Sequence, residues 1–86
     1  MNGYRPAEQV RWAVEAAGVV LISGATGAAT SLSYPEAAIW DLITRGDSSE
    51  KIAAKLCAIA GLDAEAAQKL VLDTVEAWRK AGFLRG

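Results

Sequence analysis

Few side chains in this 86-residue sequence could make or break a covalent bond. There is no histidine, which removes the commonest general base and the commonest metal ligand together. The single cysteine, Cys57, can build neither a zinc site nor an internal disulfide. Beside Leu56 on a predicted helix it reads as a small buried hydrophobe, not a reactive thiol. Tyr4 and Tyr34 lack acid or base neighbours that would suggest catalysis, and no carboxylate cluster has ligand-like spacing. Gly24-Ala25-Thr26-Gly27 is not a phosphate loop, because no lysine and no opening helix follow it. No catalytic residue, metal or cofactor is therefore expected. What remains is the chemistry of the backbone: unpaired N–H and C=O groups on a strand edge, which can bind an extended peptide whatever its side chains.

The elements that would present such an edge are legible. Val10 to Glu15 alternates, with Val10, Trp12 and Val14 on one face and Arg11 and Glu15 on the other, the period of a half-buried strand. Ala17-Gly18 supplies a turn, and Val19 to Ile22 is a β-branched run with more complete burial. Gly24 to Gly27 makes a hairpin-type connection into a third, weaker strand from Ala28 to Leu32. That strand is short and poor in large side chains, which suits an edge. Residues 1 to 9 mix glycine, proline and polar groups and are expected to form a flexible N-terminal segment ahead of a domain spanning 10–86.

Three helices follow. Ser33 and Glu36 have capping-box spacing, with Pro35 in the first turn, and Ala37, Ile39, Trp40 and Ile43 form an inward stripe up to Gly46. Asp47 or Ser48 caps the second helix, whose expected core face is Ile52, Leu56 and Ile59, and Gly61 closes it. Asp63 caps the third and longest helix, with Leu70, Val71, Thr74, Val75 and Trp78 inward and Gly82 as the left-handed stop. Phe83 can fold back on its last turn. Three strands and then three helices predict an α+β domain, a small antiparallel sheet against a helical bundle.

Composition bounds the function. One domain of this length buries roughly 60% of its extended-chain surface. Much of the 52% hydrophobic share is alanine, so Trp12, Trp40 and Trp78 should dominate the core and stability should be on the order of 5 kcal/mol. Nine basic and ten acidic residues give a net charge of −1 with no basic run. Neither nucleic acid nor an anionic membrane is an expected partner. No apolar run is long enough to span a bilayer, no signal peptide is evident, and one cysteine fits a reducing cytoplasm.

The order Val20-Leu21, Gly27, Leu32-Ser33, Ala38-Ile39-Trp40, Gly46, Ser48, Ile52, Leu56, Asp73, Trp78 and Gly82-Phe83-Leu84 resembles the PqqD family, over about residues 10–84. These are leader-peptide recognition domains of ribosomally made, modified peptides; the chain also resembles the stand-alone leader-binding proteins of lasso-peptide pathways. The resemblance implies a winged-helix-like fold that clamps the leader of a precursor peptide. The leader adds as a strand antiparallel to the third strand, beside the third helix, and is presented to a modifying enzyme such as a radical-SAM protein or a leader protease. Mapped here, the strand is Ala28, Ala29, Thr30, Ser31 and Leu32, and the helix spans Asp63 to Ala81. The family commonly has asparagine where Ser33 stands, which keeps a capping oxygen, and often aromatics in place of Ala28 and Ala29, so a shallower or more open groove is implied.

On the third helix the residues beside the core face are Lys69, Leu72, Asp73 and Glu76. Leu72 is the candidate pocket wall, with Lys69 and Asp73 as candidate polar contacts. An exposed leucine is also ordinary on any helix. Trp40 and Trp78 could stack a ligand, but their helical spacing favours core packing, whereas Trp12 stays open, since strand ends often leave an indole partly exposed. Two rival readings remain: a winged-helix DNA-binding regulator, whose recognition helix would need cations that Glu65, Asp73 and Glu76 here offset, and self-association of the exposed edge into a homodimer.

Overall fold

The computed structural model describes residues 4–85. Its elements run β1 (Arg5–Pro6), β2 (Val10–Glu15), β3 (Gly18–Ser23), β4 (Ala29–Leu32), α1 (Glu36–Thr44), α2 (Ser49–Ala60), α3 (Ala64–Lys80) and β5 (Leu84–Arg85). The α+β architecture, a three-stranded antiparallel sheet ordered β2-β3-β4 followed by three helices, is the predicted one. A second, two-stranded sheet pairs β1 with β5.

In the three-stranded sheet Trp12 lies opposite Leu21 and Leu21 opposite Thr30; Val14 faces Val19, and Val19 faces Leu32. Side chains alternate along a strand, so these residues share one face, and it is the face the helices cover. Val10, Val19, Leu21 and Leu32 are buried there with Ala37, Ile39, Trp40 and Ile43 of α1. Trp40 is fully enclosed and sits edge-on to two other indoles, 5.6 Å from Trp12 and 5.4 Å from Trp78 between ring centroids. Such edge-to-face geometry is the preferred one for aromatic pairs. The three indoles thus join sheet, α1 and α3.

Helix ends follow local chemistry. The Ser48 hydroxyl accepts from the Lys51 N–H, so Ser48 is the α2 cap, while Asp47 instead meets Lys55 at 2.7 Å. The Asp63 carboxylate accepts from the Ala66 N–H at 2.8 Å. Gly82 has φ of +87°, and beyond it the Phe83 N–H returns to the Trp78 carbonyl at 2.9 Å, sealing the end of α3.

Several sequence expectations are corrected. Residues 5–9 are not a free leader: β1 pairs with β5, the Ala7 N–H donates to the Phe83 carbonyl, and the Gly24 N–H donates to the Gln9 carbonyl. Two-residue strands carry no hydrophobic period, so nothing local announces them. The first three residues of that expected segment lie outside the described ones. Helix α1 begins at Glu36, so Glu36 stands in its first position and no capping box forms; Ser33 contributes its carbonyl, which accepts from the Ala37 N–H. Val14 is 74% exposed and Trp12 42% exposed, because the helical layer stops short of that end of β2. Ile59 is exposed too, in the last turn of α2, while Ile52 and Leu56 are buried. Finally, β4 starts at Ala29; the carbonyl of Ala28 accepts from the Ser23 N–H and closes the turn.

Candidate functional site

The site is built from backbone. In an antiparallel ladder, opposite residues alternate between pairs that exchange both hydrogen bonds and pairs that exchange none. The Ser23 N–H to Ala28 carbonyl bond sets the phase. Leu21 with Thr30 and Val19 with Leu32 then exchange bonds, whereas Ile22 with Ala29 and Val20 with Ser31 do not. Ala29 and Ser31 therefore turn both their N–H and C=O groups away from β3. No strand among the described residues pairs with β4 on that side. Arg5 and Pro6 pair with β5 and not with this edge.

Side chains divide by the same alternation. Ala29 and Ser31 are exposed on the outer face, Thr30 is half-buried and Leu32 buried on the inner one. The exposed side chains on this edge are small. At the Leu32 end of β4 a groove of about 300 Å³ opens between the strand and the β2–β3 turn, lined by Glu15, Gly18, Val20, Ser31, Leu32 and Ser33 among others.

The helix side is less unified than the sequence implies. Lys69, Leu72, Asp73 and Glu76 do share the outward stripe of α3. Lys69 and Asp73 are paired with each other at 3.2 Å, and Glu76 holds Arg79 through two contacts of 2.6 and 3.2 Å. The Arg79 hydrogen bonds keep the Glu76 carboxyl below the usual carboxylate range, with the guanidinium charge acting in the same direction. Leu72 is 55% exposed and lines a groove of about 270 Å³ whose other wall is the start of α2, at Ser49, Glu50 and Ala53. Leu72 thus borders the start of α2. Helix α3 packs most broadly against α2, and next against β5.

In the sequence Gly18 reads only as a turn residue. Its actual role is close approach, since a Cβ there would meet the Leu32 carbonyl. A glycine beside a turn carries no signal in sequence for which distant strand it must admit. Among the described residues no group of three or more His, Cys, Asp or Glu side chains could hold a metal ion, and no helix is long and apolar enough to cross a membrane.

A small three-stranded sheet whose outer strand β4 has no further partner among the described residues, followed by three helices, defines a winged-helix-like domain with backbone groups open on that edge. The chain belongs to the PqqD family: the family described as Coenzyme PQQ synthesis protein D (PqqD) matches residues 18–84. Among solved structures, it is similar to TbiB1 in complex with the TbiA(beta) leader peptide, at 26% identity and a TM-score of 0.91 over 95% of each chain. It is also similar in fold to a lasso peptide synthetase B1 complexed with the leader peptide, at 20% identity and a TM-score of 0.89, over 96% of this chain and 98% of the other. No curated protein matches the sequence.

Proposed function

We propose that this protein binds the leader segment of a ribosomally synthesised precursor peptide by strand addition to β4 and presents it to a modifying enzyme in the cytoplasm. It acts as an adaptor and not as a catalyst. The observation that carries the reading is the pair of outward-facing residues Ala29 and Ser31 on an unpaired edge. Likeness to two structures that hold a leader peptide supports it. An incoming antiparallel strand would exchange both bonds with Ala29 and with Ser31, and Ala28, Thr30 and Leu32 would frame it. This is affinity through the main chain, with side-chain pockets adding selectivity.

Lys69, Leu72, Asp73 and Glu76 enter as secondary contacts. Leu72 offers an apolar surface, while the polar three are already engaged in ion pairs that a peptide would have to share. A DNA-binding role is not favoured: Lys55, Lys69 and Arg79 are each paired with a carboxylate, so these cations of α2 and α3 are not free for phosphates.

Isothermal titration with synthetic leader peptides encoded beside the gene tests the proposal. Binding at micromolar strength or tighter, about −8 kcal/mol, is expected. Ser31→Pro removes an N–H that the β3–β4 ladder does not use, so the fold should persist while affinity falls about tenfold, the worth of one lost hydrogen bond. Silence across several adjacent leaders, or binding indifferent to Ser31→Pro, would overturn the strand-addition reading.

A further inference from the structure

Among the described residues the sheet has a second unpaired edge, β2, on the side away from β4. The Gly24 N–H to Gln9 carbonyl bond sets the phase of the β2–β3 ladder. Gly18, Val20 and Ile22 exchange bonds with Glu15, Ala13 and Arg11, so Trp12 and Val14 point their backbone groups outward. The side chains of the same two residues are the large apolar groups left exposed on this strand, Val14 mostly and Trp12 in the part not packed against Trp40. On the opposite face stand Arg11 and Glu15, both exposed and neither in an ion pair among the described residues.

We propose that the β2 edge is an interface for a second copy of this chain, joined antiparallel about a two-fold axis at Ala13. In that register Trp12 lies opposite Val14 of the partner subunit, and these are the residues whose backbone groups face outward on both strands. Arg11 lies opposite Glu15 of the partner subunit in a pair without backbone bonds, where side chains approach most closely. The contact repeats by symmetry, giving two such ion pairs around a small central residue. Moving the axis to Trp12 or Val14 leaves Arg11 opposite an alanine. Moving it to Arg11 or Glu15 opposes like charges. The apolar face gains an aromatic–β-branched pair on each side of the axis, a favourable cross-strand combination.

The strand is thus self-complementary in backbone phase, charge and apolar pairing at one register, which an edge merely guarded by charges need not be. The exposure of Val14 and Trp12 means that the helical layer stops short of this edge and leaves room for the partner's strand. The product is a continuous six-stranded sheet with β4 bare at both ends, so each subunit keeps its peptide edge. This inference is independent of the proposed function.

Sedimentation of the full chain tests it, from about 10 μM to about 1 mM because an interface of one strand per side is small. A concentration-dependent monomer–dimer equilibrium is expected. Arg11→Glu and Glu15→Arg should each raise the dimer dissociation constant at least tenfold, and an equimolar mixture of the two variants should restore dimers, because each then meets its opposite charge. Circular dichroism would show that these exposed substitutions leave the fold intact. A chain monomeric at the highest concentration would overturn the proposal. So would a dimer that neither charge reversal weakens, or one abolished by Ser31→Pro, which would place the contact on β4.

Discussion

The backbone of Gly18 lies so close to the carbonyl of Leu32 that a Cβ at Gly18 would stand 1.8 Å from the Leu32 oxygen. The last rung of the β3–β4 ladder, Val19 with Leu32, sits beside this contact. The position of the candidate peptide edge therefore depends on a missing side chain in the neighbouring strand. Gly18→Ala must push the end of β4 outward, because the atom it meets is main chain. Stability should fall by about 2 kcal/mol or more, as for other overpacked sites. Urea denaturation would measure this, and titration with a leader peptide should show weaker binding as Ser31 moves off register.

Trp40 is the hub of the core, wholly enclosed and edge-on to both Trp12 and Trp78. Trp40→Ala should cost about 3–5 kcal/mol, the usual range for a buried aromatic. A small domain holds little more than that in reserve, so circular dichroism should find the variant largely unfolded at room temperature. Trp12→Ala removes a ring that is already partly in solvent, and chemical denaturation should return less than half the loss.

Removal of residues 1–9 should destabilise the domain. The deletion takes away the Gln9 carbonyl that receives the Gly24 N–H at 2.7 Å and the Ala7 N–H that reaches the Phe83 carbonyl at 3.0 Å. It also removes Tyr4 and Ala7, which pack against the core that includes Phe83 and Leu84, and the Pro6 backbone opposite Leu84. A loss of about 2–3 kcal/mol is expected from the broken bonds and the exposed apolar area together. An unchanged melting temperature would mean that the β1–β5 pair contributes nothing.

The Glu76–Arg79 pair sets a pH dependence of known sign. Hydrogen bonding to Arg79 lowers the Glu76 pKa from its ordinary 4.5. Its stabilising contribution is therefore complete above that ordinary value and fades as pH falls through the depressed one. The pair is exposed, so the effect on stability should be small. A carbon-detected NMR titration of the Glu76 carboxyl should find a midpoint below the usual glutamate range, and Arg79→Met should move it back up.

How much of this was legible in the sequence depends on the range of the interactions. Strands β2 and β3, the three helices, the Asp63 cap and the Gly82 stop could all be read, because periodicity, capping oxygens and positive-φ glycines act within a few residues. The weakness of β4 as a strand could be read as well, from its length and small side chains. The capping box at Ser33 failed by a shift of two residues in the start of α1, a boundary that local spacing alone does not settle.

What lay beyond the sequence was every relation that needs two distant segments in one place. Arg5–Pro6 and Leu84–Arg85 are too short to show a period and become strands only when the chain's two ends meet. The helical spacing of Leu72 does not say which neighbouring element it will border; the packing of α2 on α3 brings it beside Ser49, Glu50 and Ala53. Periodicity told which side of a strand is apolar; it could not tell how far the helices extend over it, and so Trp12 and Val14 emerged into solvent. Local stereochemistry writes the elements into the chain, whereas burial and free edges are properties of which surfaces finally face each other.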